Sequence, residues 1–216
     1  FDWHLPEQYE MIHKLQPGCM VANNHHQSPF PGEDIQIFER DLPGENTAGL
    51  SGQAVSRLPL ETCNTMNGMW GYKINDQNYK DATTLIRYLV KAAGMGANLL
   101  LNIGPQPSGD LPATALSRLK EMGEWMRENG ETIYGTEAGP FPAQSWGTTT
   151  RKGNRLFVHV MTPETSAIIL PGNLKIKKAF EYKSKKPVSF SRQGEHTLLQ
   201  FDSIPTGIDY IIECSL

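Results

Sequence analysis

No stretch of this 216-residue chain reaches the roughly 18 consecutive apolar residues of a membrane-spanning helix, so nothing in it reads as a membrane span. Cysteine is scarce as well. Cys19, Cys63 and Cys214 are odd in number, far apart and without C-x-x-C spacing, so they read as buried thiols rather than as a disulfide framework or a metal site. There is no internal repeat and no low-complexity tract. No targeting segment is visible, but the first residue is Phe1 rather than Met, so that lack carries no weight. A strong charge excess is also missing, the net charge being −3. The balance conceals an asymmetry, because residues 151–216 hold ten Lys/Arg against six Asp/Glu. Two short basic runs there, KIKK and KSKK, have no interleaved aromatics. They read as a solvated strand face and not as a nucleic-acid surface.

What the chain does have is a clear change of texture near Gly139. Before it, apolar residues recur at helical spacing and alternate with short apolar runs. Leu5–Gln16 reads as a helix with Pro6 in its first turn. Pro17-Gly18 stops it, and Cys19–Ala22 suits a short parallel strand. Further on, Leu58–Cys63 and Met69–Tyr72 are strand candidates. Asp81 caps a helix reaching Ala93, with Leu85, Ile86, Leu89 and Val90 on one face. Ala97–Ile103 is a nearly continuous apolar strand, and Leu111–Asn129 is again helical. Such alternation predicts an α/β arrangement with parallel strands. After Gly139 the chain breaks into short β-branched and aromatic runs (RLFVHVM, SAIILP, KKAFEY, PVSFSR, HTLLQF, DYIIEC), which predict an all-β sandwich.

Between the first strand and the second α/β unit lies a long segment without periodicity, from Asn23 to about Leu60. It carries His25 and His26 with five acids, Glu33, Asp34, Glu39, Asp41 and Glu45. Loops this long inside a compact domain are usually functional. In α/β barrels the chemistry sits on loops leaving the C-terminal ends of the strands, and this segment follows the Cys19–Ala22 strand at that end.

Three phrases, LETCNTMNGMWGY (60–72), NLLLNIGPQPSGDLP (98–112) and GEWMRENGETIYGT (123–136), together with the opening FDWHLPEQYEMIHKLQP, resemble in order the C-terminal half of the α-L-fucosidases of glycoside hydrolase family 29. The resemblance covers residues 1–140 and continues into a downstream β-domain. It implies part of a (β/α)8-like catalytic barrel over 1–140, a β-sandwich over 141–216, and retaining hydrolysis of terminal α-L-fucose from fucosylated oligosaccharides or glycoconjugates. It implies no cofactor. Retaining glycosidases use two carboxyl groups, and the family nucleophile stands in a W-x-D-G-like phrase that does not occur here. Asp2 corresponds to the start of the following helix, so the nucleophile is expected upstream of Phe1, in an N-terminal half of the catalytic domain that acts as this chain's partner. The resemblance also implies a periplasmic, cell-surface or secreted location.

For the acid/base residue the first candidate is Glu33, by its register to DLPG (41–44) and its position after Pro31-Gly32. A general acid at this place needs a carboxyl kept protonated by desolvation or by its neighbour. Glu61, in LETC, is the second candidate, and a structural carboxylate is an equally good reading of it. Glu39 and Asp41 remain, with simple pairing to Arg40 or Arg57 as their bland alternative. His25 and His26 fall where the family contacts the sugar, and Trp70 is the best stacking platform, although a core role suits it equally. A zinc site is disfavoured, because adjacent histidines do not easily turn both rings to one ion. Two other readings are a non-catalytic carbohydrate-binding or structural remnant of a glycosidase, and a barrel hydrolase for another sugar.

Overall fold

The computed structural model describes residues 2–216. Helices are α1 Leu5–Leu15, α2 Ala82–Gly94 and α3 Ala113–Asn129. Strands β1 Ala22–Asn23, β2 Ile35–Glu39, β3 Leu60–Thr65 and β4 Ala97–Asn102 form one parallel sheet in sequential order. The remaining strands are β5 Glu137–Ala138, β6 Gly147–Lys152, β7 Arg155–Val160, β8 Ala167–Leu170, β9 Lys178–Glu181, β10 Ser189–Gln193, β11 His196–Gln200 and β12 Tyr210–Ser215. They make two antiparallel sheets, ordered β5-β6-β7-β12-β9 and β10-β11-β8. The chain is thus mixed α/β with one parallel and two antiparallel sheets. Among the described residues no helix is long and apolar enough to cross a membrane.

Internal contacts define two compact units. One holds residues up to Asn78 together with Ala97–Asp110, and the other holds Tyr79–Gly96 and Leu111–Leu216. The first contains α1 and the parallel sheet. Strand residues alternate between faces, and the registers assign them. Ala22, Ile35, Ile37, Glu39, Glu61, Cys63, Asn98, Leu100 and Asn102 share one face. That face is open, Leu100 being 48% exposed. The opposite face buries Gln36, Phe38 and Thr62.

β2 lies inside the segment expected to be an aperiodic loop, and it pairs with strands on both sides. Gln36 hides it. This polar residue is buried, which its hydrogen bonds permit: its amide donates to the Ala54 carbonyl and accepts from the Ser56 N–H. The strand expected at Met69–Tyr72 is instead a turn-rich segment. It is held by a backbone-to-backbone approach, since a Cβ on Gly104 would stand 2.5 Å from the Tyr72 nitrogen.

In the second unit, Asp81 caps α2 as expected, accepting the Thr84 N–H at 2.7 Å. One apolar core draws on both antiparallel sheets, with Leu156, Val158, Val160 and Ile212 from the larger, Trp146 from just before β6, and Ile168, Leu170 and Leu199 from the smaller. β6 escapes notice in the sequence because its buried residues are Thr148, Thr149 and Thr150. Gly147 opens that strand at φ 151°, where a Cβ would come within 1.9 Å of the His159 carbonyl oxygen.

Arg155 ties this unit's surface together. It grips Glu131 through two N–H groups and donates its Nε–H to Glu213 at 2.7 Å. The Arg155 hydrogen bonds hold the Glu131 carboxyl down at about 2, against an ordinary 4.5. A depressed folded-state value stabilises the fold above the unfolded value, and the gain disappears as pH falls toward the folded one. Glu131→Gln is therefore expected to lower the melting temperature near neutral pH. The gap to the parent should close between about pH 4.5 and about pH 2, followed by thermal unfolding across that range. A gap that persists unchanged at about pH 2 would contradict this. Half-exposure and salt screening keep the effect modest.

Candidate active site

The acidic residues of the long segment separate by face. Glu33 precedes β2 and turns toward the face lined by α1. Its side chain is 1% exposed, and Oε1 accepts the Tyr9 hydroxyl at 2.9 Å and lies 2.7 Å from His25 Nε2. The Gln27 N–H donates to His25 Nδ1 at 3.1 Å, so that nitrogen carries a lone pair and Nε2–H is the donor to Glu33. Asn23 donates to the Tyr9 oxygen at 2.6 Å, and burial pushes the Tyr9 phenol up. Beside this cluster, Asp34 accepts the Val21 N–H at 2.7 Å and pairs with His13 at 3.1 Å. The Val21 bond, then His13, holds the Asp34 carboxyl below its ordinary value. Glu33 and Asp34 together tie α1 to the first two strands.

Glu39 stands elsewhere. It is the last residue of β2, on the open face and at the C-terminal end of the parallel sheet, with a side chain 17% exposed. Asn24, which follows β1, donates to its Oε2 at 2.7 Å, and His26 Nε2 lies 3.6 Å from the same oxygen. The two neighbouring histidines therefore serve different carboxylates, His25 that of Glu33 and His26 that of Glu39. Both His26 (φ 59°) and Arg40 (φ 62°) are left-handed, which is uncommon for residues with a side chain.

Next to Glu39 across the strand pair is Cys63, whose thiol is pushed up by burial and by the charges of Glu39 and Glu61. Glu61 shares the open face but sits near the start of β3, opposite Ile37. Trp70 lies at the same strand ends as Glu39. Its carbonyl accepts from Asn102 at 2.6 Å, and the Arg40 guanidinium covers its ring at 5.3 Å. The Arg40 side chain also donates to the Gly68 carbonyl at 3.1 Å. Asp41 is buried and spoken for, accepting from Thr47 and the Ala48 N–H. Asn24, Arg40 and Asn102 were not singled out as site residues by the sequence. No periodicity in the sequence marked their surroundings, because Gln36 interrupts the apolar pattern of β2.

An α/β protein with polar side chains gathered at the C-terminal ends of parallel strands belongs to a class that places its ligands there. Known proteins make the assignment more specific. The alpha-L-fucosidase family model matches residues 1–131, and the chain belongs to that family. It is 39% identical over 161 residues to the plasma alpha-L-fucosidase of Rattus norvegicus, covering 61% of this chain and 35% of the relative. With the alpha-L-fucosidase of Dictyostelium discoideum it shares 34% over 118 residues, covering 51% and 25%. Among solved structures, alpha-L-fucosidase isoenzyme 1 from Paenibacillus thiaminolyticus superposes with a TM-score of 0.80 at 30% identity, covering 99% of this chain and 54% of that one. The chain thus spans a quarter to about half the length of these relatives.

Proposed function

We propose that this chain is the acid/base-bearing part of a retaining exo-α-L-fucosidase that removes terminal α-L-fucose from glycans. In this reading residues 1–140 are the C-terminal portion of a (β/α)8-like barrel and 141–216 a β-sandwich. Family membership supports the substrate class. The observation that carries the site is the Glu39 carboxylate, on the open face at the C-terminal end of β2 with Asn24 and His26 at one of its oxygens. Glu39 therefore replaces Glu33 as the acid/base residue. Glu33 is enclosed on the other face and fully engaged in holding α1, and Glu61 lies too far back along β3.

Retaining hydrolysis needs a second carboxylate about 5–5.5 Å from the first, acting as nucleophile. We assign it to the N-terminal half of the catalytic domain, because no W-x-D-G-like phrase occurs in these residues. His26 and Trp70 contact the sugar or its leaving group, and His25 supports Glu33. A location outside the cytoplasm agrees with the plasma enzyme among the relatives. The test is hydrolysis of an aryl α-L-fucoside by the intact protein, followed by proton NMR. The first-formed fucose should be the α-anomer. The β-anomer would refute retention, and binding without turnover would favour the non-catalytic reading.

A further inference from the structure

We propose that Asn24 is a positioning residue that decides which oxygen of Glu39 carries the transferable proton, an inference that rests on Glu39 being the acid/base group. The Asn24 amide nitrogen lies 2.7 Å from Glu39 Oε2. That nitrogen has hydrogens to give and no lone pair to offer, so Oε2 is an acceptor in both protonation states. The opposite amide orientation would set oxygen against oxygen whenever Glu39 is ionised, so the bond itself fixes the orientation. His26 flanks the same oxygen, its Nε2 being 3.6 Å away, and both neighbours come from the turn that follows β1. With Oε2 held on that side, the carboxyl hydrogen resides on Oε1.

The chemistry then runs through one oxygen. In the first step the bond from C1 to the glycosidic oxygen breaks, its electron pair stays with that oxygen, and the Oε1 proton is transferred there. A nucleophilic carboxylate meanwhile forms a bond to C1. In the second step water attacks C1 and gives a proton to Oε1, and the carboxylate leaves with its electron pair. Because Asn24 keeps Oε2 occupied throughout, the carboxyl need not rotate between donating and accepting.

The test uses the intact protein with Asn24→Ala and Asn24→Asp, on a series of aryl α-L-fucosides whose leaving phenols run from acidic to weakly acidic. Acid assistance matters only for the poor leaving groups. In both variants kcat/KM should fall about 10-fold or more on phenyl fucoside, the lower part of the range for general acid catalysis, and stay within about twofold on dinitrophenyl fucoside. The dependence of rate on leaving-group acidity therefore steepens. Asn24→Asp should additionally move the alkaline limb of the pH profile upward, because a second carboxylate beside Glu39 favours its protonated form. An equal loss on both substrates, or no loss on either, would overturn the positioning role. Inactivity of the parent protein on every α-L-fucoside would instead overturn the fucosidase reading beneath it.

Discussion

Glu39→Gln is expected to lower kcat on fucosides with poor leaving groups by about 10²–10⁴-fold, the usual worth of a positioned general acid. The fold should stay intact, since Glu39 hydrogen-bonds an exposed Asn24 and braces no helix. Glu33→Gln should do the reverse. It replaces a carboxylate that accepts from both Tyr9 and His25 in a buried pocket. Both donors meet one oxygen, Oε1, so an amide oxygen in its place still accepts from both but as a neutral and weaker acceptor, a loss of about 1–2 kcal/mol. Its activity per folded molecule should stay within a few-fold of the parent. Azide sharpens the contrast, because it attacks the glycosyl-enzyme without needing a base and should rescue only a Glu39 variant. If Glu33→Gln abolishes turnover at unchanged stability while Glu39→Gln is tolerated, the assignment is inverted.

The second large effect is expected in the β-rich unit, at Asp209. Its carboxylate lies 2.7 Å from His159 Nδ1, and both side chains are 0% exposed. The other ring nitrogen faces Thr150 Oγ1 at 3.1 Å, and that hydroxyl already donates its hydrogen to the Thr132 carbonyl at 2.6 Å. The hydroxyl oxygen is therefore an acceptor and Nε2 must carry hydrogen. Nδ1 faces the Asp209 carboxyl, and the result is an enclosed, hydrogen-bonded His–Asp pair. Arg87 steadies the approach to Asp209 by donating to the Gly207 and Ile208 carbonyls. Removing one member of such a pair costs about 3–5 kcal/mol, because the other is left buried without compensation. Asp209→Ala should lower the unfolding free energy by that much, read as a lower urea midpoint at unchanged slope. Replacing both residues by leucine should recover most of the loss. A single-variant change below about 1 kcal/mol would overturn this.

Much of this was legible in the sequence, for reasons that particular residues make plain. α2 announced itself by Asp81 and its apolar face, and β4 by its run of leucines. The family was legible from ordered phrases. β2 was not, because Gln36 interrupts its apolar pattern and is satisfied only by Ala54 and Ser56, far along the chain. With β2 unseen, Glu33 and Glu39 looked alike, two acids in one loop. Both share the odd numbering of Ile35 and Ile37, and their difference is one of place and depth, since Glu39 ends β2 while Glu33 precedes it and is enclosed against Tyr9 and His25. β6 was missed because threonines do the burying there, a choice that hydrophobic patterning does not register.

Cys63 stands across the strand pair from Glu39, its thiol raised by burial and two carboxylates, and Cys214 is pushed up to about 12. Oxidants and electrophiles act on thiolates, which these two residues withhold near neutrality. Cys63 thus stands beside Glu39 as a thiol that oxidants attack slowly. Burial first, and the charges of Glu39 and Glu61 after it, hold that thiol in its protonated form.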